Sequence, residues 1–139
     1  MTIKQIAVFM ENKPGTMSKV TEALGNSGID VRAASLADTQ DFGILRMIVT
    51  DTEKAVKSLS DAGYVASVCD VFAAEVPDLP GAMTELMKKV ASTGLNVEYM
   101  YAFVSPETKK AYIVLRIKDT ENAEKALIDK GIKLIGETK

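Results

Sequence analysis

The sequence predicts an α+β protein that consists of two consecutive copies of a βαββαβ unit. Three observations support this prediction. The segment ENKPGTM at residues 11–17 recurs as PDLPGAM at residues 77–83. The segment DTEKAVKSLSDAGY at residues 51–64 recurs as DTENAEKALIDKGI at residues 119–132. Within each copy, periods typical of strands and helices follow one another in the same order.

The first copy begins with a strand and a helix. Apolar residues alternate from Ile6 to Met10, as in a half-buried strand. Met17, Val20 and Leu24 then recur at helical spacing, which predicts an amphipathic helix with these side chains facing the core.

A hairpin follows this first helix. Gly28 is predicted to end the helix, because glycine readily takes the left-handed conformation of a C-terminal cap. The runs VRAASLAD (31–38) and FGILRMIVT (42–50) are rich in strand-forming residues. The polar residues 38–41 between them predict a turn, so the two runs should pair as antiparallel strands.

A second helix and a fourth strand complete the first copy. Asp51 and Thr52 are suited to cap the helix at its N-terminus. Three positions, Ala55, Leu59 and Ala62, are expected to face inward. Gly63 should end this helix before the strand YVASVC.

The second copy repeats this order of elements. It reads as VFAAEV, GAMTELMKKVAST, NVEYMYAFV, KAYIVLRIK, TENAEKALIDK and a short last strand, IKLIGE. The polar segment SPETKK at 105–110 is a suitable hairpin tip for the two extra residues of this copy. We therefore expect domains at 1–69 and 70–139. Each should be a ferredoxin-like unit, an antiparallel four-stranded sheet with two helices on one face.

Composition excludes several classes of function. A net charge of -2 with both signs interspersed offers no basic surface for nucleic acid. No apolar run approaches the ~20 residues that span a bilayer, and the N-terminal segment has a charged break too early for a secretory signal. We therefore expect a cytoplasmic protein without a nucleic-acid or membrane partner.

The absence of histidine removes the commonest general base and transition-metal ligand. Cys69 is the only cysteine and lies in the apolar run YVASVCDVF, so a buried strand thiol is expected rather than a nucleophile. We therefore predict no enzyme activity, no metal and no cofactor.

The repeated Pro-Gly turn allows two interpretations. Gly15 brings bare backbone to a helix start, whose amides and positive dipole end suit an anion such as a carboxylate. Alternatively, Pro-Gly is simply favourable turn chemistry between a strand and a helix. The turn alone leaves both interpretations open.

The string ENKPGTMSKVTEALGNSGIDV resembles the first strand, loop and helix of ACT domains, and the second copy repeats the pattern up to Gly94-Leu95-Asn96-Val97. The resemblance covers nearly the whole chain twice. It implies a βαββαβ fold and a regulatory module that binds a free amino acid where domains meet. It also implies contacts from the loop before the first helix and from a polar residue at the start of the second strand.

The resemblance carries these contacts over to Asn12, Gly15 and Asp30 in the first copy and to Asp78, Gly81 and Asn96 in the second. With their neighbours, the candidate ligand site comprises Asn12, Lys13, Pro14, Gly15, Thr16, Met17, Asp30, Val31, Asp78, Leu79, Pro80, Gly81 and Asn96. An acid at Asp30 or Asp78 could bind an ammonium group, or either could be an ordinary turn or cap residue. We expect the first copy to bind more tightly, with Asp30 as the ammonium partner, because negative charge at 75–78 should repel a carboxylate ligand.

The aromatic residues of the second copy fit an interface. Tyr99, Tyr101 and Phe103 alternate along one predicted strand and Tyr112 lies on the next, which favours an aromatic face packed on a partner sheet over ligand or RNA stacking. We therefore expect a homodimer.

The function predicted from these observations is a sensor or regulatory protein without a catalytic domain, whose partner could be a metabolic enzyme or regulator. A structural dimerisation module with a decayed ligand site is an alternative. An acylphosphatase-like hydrolase is a more remote one, because the loop after the first strand offers only Lys13 and no arginine.

Overall fold

The computed structural model describes residues 1–38, 42–105 and 107–136. The chain divides into two compact units. Among the described residues, the first unit comprises residues 4–69, and the second comprises residues 1–3 and those from Asp70 to Gly136. Within the described residues, the chain forms six strands and four helices.

The first unit has the predicted order of elements. They are β1 (Ile3–Glu11), α1 (Thr16–Asn26), β2 (Val31–Asp38), β3 (Phe42–Val49), α2 (Thr52–Asp61) and the beginning of β4 (Ala66–Pro77). The strand order is β2-β3-β1-β4. β3 pairs antiparallel with both β1 and β2. The predicted hairpin tip at 39–41 lies outside the described residues.

The second unit continues along β4. Its further elements are α3 (Ala82–Ser92), β5 (Tyr99–Ser105), β6 (Lys110–Arg116) and α4 (Thr120–Asp129). The strand order is β4-β6-β5, with antiparallel pairing throughout. The fold class predicted from the sequence, a pair of ferredoxin-like units, is confirmed.

Two details of the sheets differ from the prediction. The predicted strands YVASVC and VFAAEV form the single strand β4, because no glycine or proline interrupts the chain between them. The predicted last strand is reduced to an antiparallel bridge between Leu134 and Ala74. Glu137, at its predicted end, lies outside the described residues.

Each unit has its own core between its helices and one face of its sheet. In the first unit, Val20 and Leu24 of α1 and Ala55 and Leu59 of α2 are buried together with the inner residues of β1 and β3. The second core is formed in the same way by eleven buried residues, among them Phe72 and Leu127. The predicted inward faces of both first-unit helices are therefore largely confirmed.

Two residues predicted to face inward are exposed. Met17 is 42% exposed, and Thr16 is buried in its place at 6% exposure. Position 16 lies four residues before Val20 and position 17 lies three before it, so helical spacing permits either. The packing of α1 on the sheet decides in favour of Thr16. Ala62 is exposed because α2 ends before it, and it forms the C-cap.

The predicted helix ends are confirmed. Asp51 caps α2 by accepting a hydrogen bond from the Lys54 backbone N–H at 3.1 Å. Gly28 follows α1 with φ +73°, a left-handed conformation in which a Cβ would be strained.

Cys69 is half-buried rather than buried, and its Sγ accepts a hydrogen bond from Gln5 Nε2 at 3.4 Å. No helix among the described residues is long and apolar enough to cross a membrane.

The aromatic residues of the second unit share one face of its sheet, as predicted. Tyr99, Tyr101 and Phe103 are half-buried on β5. Phe103 pairs with Tyr112 of β6, and their rings stack with centroids 5.1 Å apart. Phe103 and Tyr112 therefore pack on each other within the unit, and the packing of this aromatic face on a partner stays a prediction.

Candidate functional site

The two Pro-Gly turns have the same backbone conformation. Gly15 and Gly81 both have φ +89° and ψ -14°, and each is the N-cap of the helix that follows. No described side chain caps either helix. A Cβ at either glycine would meet no atom of the described residues within 4 Å, so among these residues the start of each helix faces open space.

A cavity of about 350 Å³ lies beside the Gly15 turn in the first unit. Its lining comes from β1, the turn, α1, β3 and the segment after α2. The lining residues are Phe9, Met10, Glu11, Lys13, Pro14, Thr16, Lys19, Phe42, Gly63 and Tyr64. Three of the residues predicted as a ligand site, Lys13, Pro14 and Thr16, therefore line one cavity.

This cavity has positive charge at the start of α1. Lys13 and Lys19 line it, and α1 carries no acidic residue in its first turn. The helix dipole adds to this positive charge. Lys13 Nζ lies 3.1 Å from Glu11 Oε2, so one carboxylate is also present at the rim. The arrangement suits a ligand that carries both a carboxylate and an ammonium group.

Asn12 is held beside this turn by the end of β2. Its Nδ2 donates a hydrogen bond to Asp38 Oδ1 at 2.7 Å. Asp38 was not among the predicted site residues, and its position opposite Gly43 of β3 brings it to this end of the sheet. Met17 follows the turn but is not among the residues that line the cavity.

Asp30 and Val31 are not brought together with the Gly15 turn. They lie after α1, whose 11 residues span roughly 16 Å, so they occupy the opposite end of the first unit. There the Asp30 backbone N–H donates to Thr50 Oγ1 at 3.1 Å, and Arg32 Nε lies 3.6 Å from the Asp30 carboxylate. An amino acid held wholly within the first unit cannot contact both Asp30 and Gly15. The first unit alone therefore does not bring Asp30 to the Gly15 turn, and Asp30 as the ammonium partner stays a prediction.

The second unit separates its predicted site residues in the same way. Asp78, Leu79, Pro80 and Gly81 precede α3 and are exposed. The exposed Asn96 follows α3 and precedes β5, at the other end of the helix. Glu85 lies in the first turn of α3, at the position that corresponds to Lys19.

A cluster of charged residues lies near the second turn. The Lys133 ammonium contacts Glu75 Oε2 at 2.6 Å, and Lys110 Nζ lies 3.9 Å from the same oxygen. Tyr112 donates its hydroxyl to Glu75 Oε1 at 3.4 Å. The hydrogen bond from Lys133 holds the pKa of the Glu75 carboxyl below its ordinary value of 4.5, against the opposing effect of burial.

Glu75→Gln is expected to lower stability at pH 7 and to have less effect in acid. Because the pKa of Glu75 is lowered in the folded protein, its ion pair stabilises the fold fully above about pH 4.5. This stabilisation is lost as the pH falls through the pKa of the folded state. Urea unfolding of the variant and the wild type from pH 7 to pH 3 measures this. Equal stabilities at pH 7 would contradict the role of the ion pair. Glu107→Gln, at an exposed acid of the segment between β5 and β6, is the control.

Sequence reasoning missed the aromatic part of the first-unit cavity. Phe9, Phe42 and Tyr64 were assigned no binding role, because an apolar residue in a strand is ordinarily part of a core or an interface. A signal was nevertheless present in the repeat. The positions equivalent to Phe9 and Phe42 in the second copy carry Glu75 and Lys110.

Two βαββαβ units, each with a Pro-Gly turn before its first helix, define the chain as a pair of ACT-type domains. The family described as "ACT domain pair" matches residues 1–139. The chain belongs to this family, and the resemblance noted in the sequence is confirmed.

Solved structures of similar proteins agree with this assignment. Protein BT0572 from Bacteroides thetaiotaomicron is 35% identical, with a TM-score of 0.88 over 97% of this chain and 92% of that one. The ligand-free regulatory subunit of aspartate kinase from Thermus thermophilus is 21% identical, with a TM-score of 0.65 over 91% of both chains. The corresponding Thermus flavus subunit is 22% identical, with a TM-score of 0.63, over 92% of this chain and 90% of that one. The two subunits share the fold with this chain. No curated protein matches it.

Proposed function

We propose that this ACT domain pair is a regulatory protein that binds a free amino acid in the first-unit cavity beside Gly15. The cavity is the main support for this proposal, because an uncapped helix start, Lys13 and Lys19 lie together at one concave site. The ligand carboxylate lies at the amides of α1, between these lysines. Glu11, at the rim of the cavity, is the acid available to the ligand ammonium.

The second unit does not bind the same ligand under this proposal. Its turn has the same backbone, but Leu79 and Glu85 replace the two lysines. Glu85 already complements the dipole of α3 and would repel a carboxylate. Duplication has thus preserved the turn in both units, while the charges that suit a carboxylate are found in one.

The regulatory role requires a partner, and we propose that this partner is a metabolic enzyme or regulator. We also propose that the protein is a cytoplasmic homodimer. The likeness in fold to aspartate kinase regulatory subunits supports a regulatory module that is separate from a catalytic one. No catalytic role is proposed. The loop after the first strand offers Lys13 where a hydrolase of the acylphosphatase type would need an arginine.

A thermal-shift screen of the wild-type protein against the twenty amino acids tests the proposal. A ligand at 100 times its Kd adds about 2.7 kcal/mol to the free energy of unfolding, which gives a clear rise in Tm. At least one amino acid is expected to raise Tm in a dose-dependent manner. No shift with any amino acid at millimolar concentration would contradict binding and would favour the dimerisation module.

A further inference from the structure

We propose that the first-unit cavity selects an amino acid with a large apolar side chain, which packs against Phe9 and Phe42. This inference rests on the proposed function and specifies the chemical class of the ligand. It concerns the part of the cavity that the sheet forms and that would contact the ligand side chain. The turn and the two lysines would instead contact the carboxylate, which all amino acids share.

The two phenyl rings are unusually accessible for their type. Phe9 is 53% exposed and Phe42 is 57% exposed, although aromatic residues are largely buried in most proteins. They lie close together, because Phe42 pairs with Glu11 in the register of β1 and β3. Both residues line the cavity together with the half-buried Tyr64, so part of its lining is aromatic.

The second unit shows that the fold does not require these rings. The Phe9 backbone N–H donates to Val65 O, and the Glu75 backbone N–H donates to Lys133 O. Phe9 lies opposite Ile44, and Glu75 lies opposite Tyr112. Phe9 and Glu75 thus occupy equivalent positions in the two units.

The same comparison applies to Phe42. Phe42 is paired with Glu11 of β1, and its equivalent, Lys110, is paired with Pro77 of β4. In the second unit both positions are charged and belong to the ion-pair cluster around Glu75. The second unit thus forms the same fold with charged residues at these two positions. The first unit has phenyl rings there, beside its cavity, which indicates a role in binding rather than in folding.

The lysines of the cavity disfavour a cationic side chain, and its aromatic surface disfavours a polar one. A cationic ligand side chain would meet Lys13 and Lys19, while Glu11 is the partner proposed for the ammonium group of the ligand. A polar side chain would lose its hydration against aromatic surface without gaining hydrogen bonds. An apolar side chain gains from the same contact. The volume of about 350 Å³ is near the lower end of the range for small-ligand sites and is adequate for one amino acid.

The test is calorimetric titration of the full chain with L-phenylalanine, L-leucine, L-lysine, L-threonine and L-aspartate. The wild type is expected to bind L-phenylalanine or L-leucine at least about tenfold more tightly than the three polar amino acids. Phe9→Ser and Phe42→Ser should each weaken the apolar ligand about tenfold or more. Because both rings are over half exposed, both variants should remain folded, as judged by circular dichroism. Val104→Ser, at an exposed position of β5, should leave binding unchanged.

The outcomes separate this inference from the proposed function. If only polar amino acids bind, the inference is wrong and the proposed function stands. If the apolar amino acids bind but neither serine variant lowers the affinity for them, the rings do not form the specificity site. If no amino acid binds, the proposed function fails and the inference fails with it.

Discussion

Gly15→Val is expected to abolish the stabilisation of the protein by its amino-acid ligand and to lower the free energy of unfolding. Gly15 has φ +89°, a conformation that costs a residue with a Cβ about 1–2 kcal/mol, and more for a β-branched one. A Cβ at Gly15 meets no atom of the described residues within 4 Å, so the valine side chain starts into open space. It would instead stand where a carboxylate approaches the amides of α1.

Gly81→Val is the matched control, because Gly81 has the same φ and ψ. It should lose a similar amount of stability, measured by urea unfolding, while calorimetry shows unchanged affinity. A protein normally has ~5–15 kcal/mol of stability, so both variants should remain folded. A folded Gly15→Val protein that binds with wild-type affinity would show that the ligand does not use this turn.

Lys19→Glu is expected to weaken the amino-acid ligand roughly tenfold at low salt, through reversal of a charge beside the ligand carboxylate. The same change should slightly raise stability, by about 0.3–1 kcal/mol, because an acid in the first turn of α1 complements the helix dipole. Weaker binding together with higher stability cannot be attributed to unfolding. Calorimetry at two salt concentrations provides a second check, since the effect should diminish as salt increases.

Glu85→Lys makes the opposite change at the equivalent position of α3. If the first unit holds the ligand, this variant should retain wild-type affinity for it. A changed affinity in Glu85→Lys combined with unchanged binding in Lys19→Glu would place the ligand in the second unit.

The sequence predicted the order of elements because each signal was local. Gly28 ends α1, Asp51 caps α2, and the bounds of β2 are those of the run VRAASLAD. The errors arose where two local solutions were equally good. Helical spacing allowed Met17 or Thr16 to face inward, and only the packing of α1 on the sheet distinguishes them.

The candidate site was harder to predict, because it depends on which ends of the elements meet. Asp30 follows the Gly15 turn by only fifteen residues, but α1 carries the chain to the opposite end of the unit. Asp38 is farther away in sequence and contacts Asn12, because β2 returns to the turn. Tyr64 also lines the cavity, although it is distant from the turn in sequence and follows α2.

The measurement that tests the central claim most directly is the stoichiometry of binding. Isothermal titration of the wild-type protein with the amino acid that gives the largest thermal shift counts the sites per chain. One ligand per chain, lost in Gly15→Val and retained in Gly81→Val, is the result that a site confined to the first unit predicts. Two equivalent sites per chain, or one site lost only in Gly81→Val, would contradict it.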